Sequence, residues 1–165
     1  MGIMSFQGNR PTLKKNFEAT IKVSDHMCSN LITFSPEQSL IEVMELLVKH
    51  KITGGPVVDE HDVLLGMISD SDCMKKISEN RYFNIPMGGT NKVKAYMSCT
   101  VETIDADESI FDAAIKFSKS PYRRFPVISE GHLVGQISQG DVLHAALELH
   151  AEHWRDNSKM KSVAY

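Results

Sequence analysis

The sequence predicts an α+β fold of two βαββα repeats packed around a pseudo-two-fold axis. Three observations carry this. First, Val23 to Cys73 reappears at Val93 to Val142, at an offset of 70 residues that becomes 69 after a turn. Val23 answers Val93, Met27 answers Met97, Ser39 answers Ser109, and Pro56-Val57 answers Pro126-Val127. One residue drops out where Glu60-His61-Asp62 becomes Glu130-Gly131; Gly66, Ile68, Ser69 and Asp72 then answer Gly135, Ile137, Ser138 and Asp141. Second, each copy alternates short β-prone runs with apolar residues at helical spacing. Third, neither copy alone has the surface-to-volume advantage of a comfortable core, so two repeats must share one.

The elements follow in order. Residues 1–20 mix Gly, Pro, Asn and Lys and read as an N-terminal arm. Repeat 1 spans 21–80. Leu31 to Phe34 is a short strand. Ser35 is placed to cap a helix, with Pro36 at its first position and Gln38 completing a capping box. Leu40, Val43, Met44 and Leu47 form its apolar stripe. Gly54 to Asp59 is a buried strand opened by Pro56, which has no ladder hydrogen to donate. A polar turn leads to the strand Val63 to Ile68 and a second helix. Asn80, Asn84, Pro86, Gly88 and Gly89 mark a linker, taken as 81–92. Repeat 2 spans 93–150. Asp105 takes the cap position and Glu108 the box, and Ile110, Ala113, Ala114 and Phe117 the stripe. Strands Arg124 to Ile128 and His132 to Ile137 follow. Residues 151–165 carry the end of the last helix and a tail expected to fray from Asp156. Trp154, the single tryptophan, is a candidate partner contact.

Composition narrows the function. A net charge of −3 offers no basic stripe for nucleic acid. No apolar run is long enough to insert in a membrane, and no signal peptide is evident, so a cytoplasmic protein is expected. Cys28, Cys73 and Cys99 are odd in number and form no Cys-x-x-Cys, which fits a reducing compartment. There is no Gly-x-Ser-x-Gly elbow and no Walker loop, so no enzyme is expected. His144, His150 and His153 read as a solvated helix face rather than a metal site.

The chemistry concentrates in Gly66-Met67-Ile68-Ser69-Asp70-Ser71-Asp72 and its twin Gly135-Gln136-Ile137-Ser138-Gln139-Gly140-Asp141. Each places a Ser at a strand end and an Asp three residues on, in the first turn of a helix. A helix N-terminus offers free N–H groups and partial positive charge. The hydroxyl suits a phosphate or ribose oxygen, and the carboxylate can accept both hydrogens of a cis-diol. As a local motif, Ser-x-x-Asp is also an ordinary helix cap.

With Asp25-x-Met27, Thr33 and Thr103, Pro56-Val57-Val58-Asp59 and Pro126-Val127-Ile128, this order and spacing resembles the CBS domain. CBS domains occur in tandem pairs known as Bateman modules. The resemblance covers about residues 20 to 150 and implies an adenosine-containing ligand: AMP, ADP, ATP, or S-adenosylmethionine. It implies that Asp72 and Asp141 hold ribose, with Ser69 and Ser138 beside ribose or phosphate. Thr33 and Thr103 would line the adenine pocket, with Pro56, Val57, Pro126 and Val127 as apolar walls. Basic residues before the Pro-Val strand often meet phosphates in the family. The second copy has Arg123-Arg124 where the first has Thr53-Gly54, so the second site is expected to prefer a phosphorylated ligand. Neighbours on an extended segment point opposite ways, so only one can face the pocket; the resemblance favours Arg124, which aligns with Gly54, a place where small and basic residues alternate in the family. The implied function is a stand-alone allosteric sensor, a homodimer acting on a separate, unknown effector protein, with no obligatory cofactor. The competing readings are a structural dimerisation module with vestigial sites and an S-adenosylmethionine binder.

Overall fold

The structure is a computed structural model and describes residues 21–83 and 91–162, with side chains described for 21–79 and 91–150. The N-terminal arm and the side chain of Trp154 lie outside the described residues. Repeat 1 contributes α1 (Val23–His26), α2 (Leu40–His50), β1 (Gly54–Val58), β2 (Leu64–Ser69) and α3 (Asp70–Phe83). Repeat 2 opens with a 3-10 turn at Val93–Ala95. It continues through β3 (Ile104–Asp105), α4 (Ile110–Lys119), β4 (Arg124–Ser129), β5 (His132–Ser138) and α5 (Gln139–Ser162).

Each repeat forms its own small sheet. β1 and β2 pair antiparallel, while β3, β4 and β5 lie in that order, with β3 parallel to β4. The expected strand at Leu31 to Phe34 shrinks to one bridge. Phe34 N–H donates to the Pro56 carbonyl at 2.9 Å, and Val58 N–H to the Phe34 carbonyl at 2.9 Å. A tight turn just before it, where Leu31 N–H meets the Ser29 carbonyl at 3.2 Å, keeps the preceding residues out of the ladder. Both hairpins carry the same irregularity, a register shift at Val57/Val58 and at Val127/Ile128. The proline is the third residue of β1 and of β4, not the first, because the strands extend back to pair Gly54 with Ser69 and Arg124 with Ser138.

The dropped residue has a clear cause. Glu130 (φ 49°) and Gly131 (φ 85°) are both left-handed and close a two-residue hairpin of the kind whose twist matches the strands. The longer first turn is organised by Asp59, whose carboxylate accepts Val63 N–H at 2.9 Å and His61 N–H at 2.8 Å. Those bonds hold its carboxyl below the ordinary range.

The helix starts differ from expectation. Ser39, not Ser35, caps α2, and Ser109, not Asp105, caps α4, each in a full capping box with Glu42 or Asp112. Ser35 and Asp105 N–H still donate to the Gln38 and Glu108 side chains, but the Ser35 and Asp105 side chains accept from Glu37 and Asp107 N–H, two residues on, so these bonds close a turn ahead of the helix and not a capping box. The extended backbone of Ser39 and Ser109 separates turn from helix, because each is bridged to the other repeat: Ser39 to Lys92, Ser109 to Lys22. Two further differences lie at helix ends. α3 runs to Phe83, past Asn80 and into the expected linker, there being no Gly or Pro to stop it before Pro86. α5 runs to Ser162, six residues past Asp156, where fraying was expected.

Those bridges belong to a reciprocal exchange. Val23 N–H donates to the Glu108 carbonyl at 2.8 Å, and Val93 N–H to the Gln38 carbonyl at 3.0 Å. Val23 is fully buried with Ile104, Phe125 and Ile137 of the second half; Val93 is fully buried with Phe34, Val57 and Ile68 of the first. Each repeat's opening segment therefore completes the other repeat's core. Ion pairs clasp both exchanges: Lys22 to Asp107 at 2.6 Å, and Lys92 and Lys94 to Glu37 at 2.6 and 2.5 Å. The two ammonium groups hold the Glu37 carboxyl down to about 2. Beyond each exchange, Cys28 pairs with Gln136 on β5 and Ser98 with Met67 on β2, through 2.9 Å bonds in both directions. Gly66 and Gly135 permit this approach. A Cβ on Gly66 would sit 2.7 Å from the Ser98 carbonyl oxygen, and one on Gly135 2.6 Å from Met27 Sδ.

Candidate functional site

The Ser-x-x-Asp motifs do what local chemistry asks of them. Ser69 N–H and Oγ both donate to Asp72 Oδ2, at 2.9 and 2.7 Å, and Asp72 N–H reaches Ser69 Oγ at 3.4 Å. Ser138 N–H and Oγ donate to Asp141 Oδ2 at 2.7 Å each, with Asp141 N–H on Ser138 Oγ at 3.2 Å. Both are helix-capping boxes. The cap uses one carboxylate oxygen and fixes the other. Among the described residues Asp141 Oδ1 has no partner, while Asp72 Oδ1 has Lys75 Nζ at 3.5 Å.

Each fixed carboxylate opens onto a cavity. One, of about 430 Å³, is lined by Ser69 and Asp72 with Met67, Lys75, Ser98, Thr100, Val101, Glu102, Tyr122, Arg124 and Pro126. The other, of about 280 Å³, is lined by Ser138 and Asp141 with Gln136, Cys28, Asn30, Leu31, Ile32, Ile52, Gly54, Gly55, Pro56 and Arg124. The repeat offset maps one lining onto the other: Thr100 onto Asn30, Glu102 onto Ile32, Tyr122 onto Ile52, Pro126 onto Pro56. They are one site built twice.

This geometry regroups the expected residues. The sequence places Arg124 and Pro126 with Ser138 and Asp141, and Pro56 with Ser69 and Asp72. In the structure each Ser–Asp pair shares its cavity with the other copy's proline strand, so both sites are composite. The same crossing that exchanges Val23 and Val93 brings residues 28–32 to the Asp141 side and 98–102 to the Asp72 side. Arg124 borders both cavities. Val57 and Val127 are not walls; both are fully buried in the cores. Thr33, Thr53 and Arg123 are exposed and border neither cavity. The Thr53 and Arg123 carbonyls instead accept the first N–H of α3 and α5, from Asp70 at 2.9 Å and Gln139 at 3.1 Å. Thr103 lines a third cavity of about 240 Å³ with Val63, Cys99 and Ile128. Its carbonyl accepts from Lys116 Nζ, which also stands 5.2 Å from the Phe125 ring centre.

Residues 30–32 and 100–102, Ile52, Tyr122 and Lys75 are additions to the expected set. For all but Lys75 the signal was in the repeat: each lining position recurs at the offset, two residues upstream of the Pro-Val strand or one to three upstream of the expected threonines, whereas Lys75 has no counterpart in the other lining. Cys73, beside Asp72, is buried; burial, then the charges of Asp72 and Asp70, push its thiol up. Among the described residues, no cluster of three or more His, Cys, Asp and Glu side chains could hold a metal. His144 and His150 are exposed, and the side chain of His153 is outside the described residues. No helix among the described residues is long and apolar enough to cross a membrane.

A family model for the CBS domain matches residues 23–79 and again 93–148. The chain belongs to the CBS-domain family. This CBS pair is 33% identical over 143 residues to the Arabidopsis thaliana protein CBSX1, named as chloroplastic, covering 73% of this chain and 61% of that protein. The CBS pair thus spans under two thirds of that relative's length. Among solved structures, Arabidopsis CBSX2 in complex with AMP matches with a TM-score of 0.68 and 30% identity, over 79% of this chain and 98% of that one. The CBS domain pair of protein MJ0100, in complex with 5′-methylthioadenosine and S-adenosyl-L-methionine, matches with a TM-score of 0.61 and 29% identity, over 75% and 98%.

Proposed function

We propose that this CBS pair is a regulatory sensor of adenosine-containing ligands, with a 5′-phosphorylated nucleotide (AMP, ADP or ATP) in the Asp72 cavity. The observation that carries the reading is the pair of offset-related cavities, each presenting a carboxylate already oriented by its own helix cap. A ribose cis-diol donates two hydrogen bonds, and an oriented carboxylate accepts them without paying to be ordered. The Asp72 cavity is the larger, and beside the shared Arg124 it has Lys75 and the flat Tyr122 ring in its lining. A guanidinium and an ammonium suit phosphate oxygens, and an aromatic ring suits a base. Glu102, in the place of Ile32, offers an acceptor for an exocyclic amine.

The Asp141 cavity supports a second reading for its own ligand. Among the described residues Arg124 is its one cation, and Ile32 and Ile52 stand where the Asp72 cavity has Glu102 and Tyr122, which suits an uncharged or sulfonium-bearing adenosyl compound. The AMP complex of CBSX2 and the methylthioadenosine and S-adenosylmethionine complex of MJ0100 support an adenosine-containing ligand in general. Ligand occupancy would act by its differential affinity for two arrangements of the halves. A homodimer through α3 and α5 belongs to the same proposal. Met74 and Ile77 on α3, and Leu143 and Leu147 on α5, are 41 to 67% exposed, and each pair lies on one side of its helix.

Calorimetric titration with AMP, ADP, ATP and S-adenosylmethionine tests the reading. Asp72→Ala is expected to weaken AMP about tenfold or more, as the loss of a charge-assisted pair of hydrogen bonds would. Asp141→Ala should act chiefly on S-adenosylmethionine. No binding of any of the four to ligand-free protein would leave the structural dimerisation module as the better account.

A further inference from the structure

Residues 54 and 124 hold equivalent places in the repeat. Gly54 pairs with Ser69 across β1 and β2, and Arg124 with Ser138 across β4 and β5. Repeat 1 has no room for a counterpart to the arginine, because a Cβ on Gly54 would sit 2.6 Å from the Ile68 carbonyl oxygen. The molecule therefore carries one guanidinium where its symmetry provides two positions. That guanidinium borders both the Asp72 and the Asp141 cavity. Among the described residues it has no hydrogen-bond or ion-pair partner. Among the described residues the Asp141 lining holds no other cation, while the Asp72 lining has Lys75.

We propose that Arg124 is a shared specificity residue that couples the two cavities, so that a phosphate in one excludes a phosphate from the other. This rests on the adenosine-ligand reading above. A bound phosphate dianion more than cancels the single guanidinium charge. The second cavity then faces net negative charge where it had a cation, and like charges at close range oppose each other. An uncharged adenosine feels no such change. A positively charged sulfonium ligand binds better once the phosphate is seated, because the arginine's repulsion has been neutralised. The sign of the coupling is thus set by ligand charge: antagonistic for two phosphates, absent for a neutral partner, favourable for a sulfonium. By linkage each ligand affects the other equally.

Calorimetry on the full chain tests this with AMP and adenosine. Asp72→Ala, or Asp72→Asn should the alanine variant unfold, weakens the Asp72 cavity and so reports the Asp141 cavity at AMP concentrations that leave its neighbour largely unfilled. The second AMP step of the natural sequence is expected to be at least about tenfold weaker than AMP binding to that variant. The same comparison with adenosine should show no difference, and Arg124→Ala should erase the AMP difference. Equal AMP affinities, or a difference that survives Arg124→Ala, would overturn the coupling alone. Failure of both AMP and adenosine to bind anywhere would overturn the ligand reading and the coupling with it.

Discussion

At the scale of single residues, function here hangs on what one oxygen or one Cβ is free to do. Asp72 and Asp141 are caps first: each carboxylate commits Oδ2 to its serine and thereby fixes Oδ1. The capping and ligand-binding interpretations of Ser-x-x-Asp are therefore not rivals, since the cap orients the group a ribose would use. Gly54 is the converse case, a residue defined by the space it leaves. Gly54→Ala should destabilise the fold by about 1–3 kcal/mol, measured by urea melts, because the Ile68 carbonyl must shift to admit a Cβ. The Gly54/Arg124 contrast was legible in the sequence as a mismatch between copies. Which cavity the arginine serves was not, because that depends on how residues far apart in the chain cross.

At the scale of elements, the helices and hairpins were readable and their edges were not. The apolar stripes of α2 and α4, apart from Ala114, which is exposed, and the Glu130-Gly131 turn follow from local spacing and left-handed backbone. The caps moved by four residues because Ser39 and Ser109 are held extended by bridges to the other repeat, a contact no local window contains. The serines nevertheless complete real boxes, with Glu42 N–H on Ser39 Oγ at 3.2 Å and Asp112 N–H on Ser109 Oγ at 3.1 Å. Ser39→Ala and Ser109→Ala should each cost about 1 kcal/mol in urea unfolding. Ser35→Ala, which disturbs only the turn before the helix, should cost less than half of that. Equal losses for Ser35 and Ser39 would return the helix start to the earlier serine.

At the scale of the whole molecule, the repeat predicted two halves about a pseudo-two-fold axis, and the structure adds that each half holds a piece of the other. The outward face follows from the same symmetry, since Met74 and Leu143 are equivalent positions, 63 and 66% exposed. Leu143→Glu combined with Leu147→Glu should convert the proposed dimer to monomer in sedimentation, with adenosine-ligand affinity retained. A natural sequence that sediments as a monomer at micromolar concentration would remove that interface. The exchange of Val23 and Val93 also limits how such a protein can respond to anything it binds. To part the halves like a clamshell would draw a fully buried valine out of each core, leaving a hole on both sides and about 1.5–3 kcal/mol of lost burial apiece. A displacement that keeps each opening segment in the core it fills leaves both valines seated. The stitching of the chain therefore selects shear over hinge, and a signal leaving either cavity should emerge as a small displacement along α3 and α5.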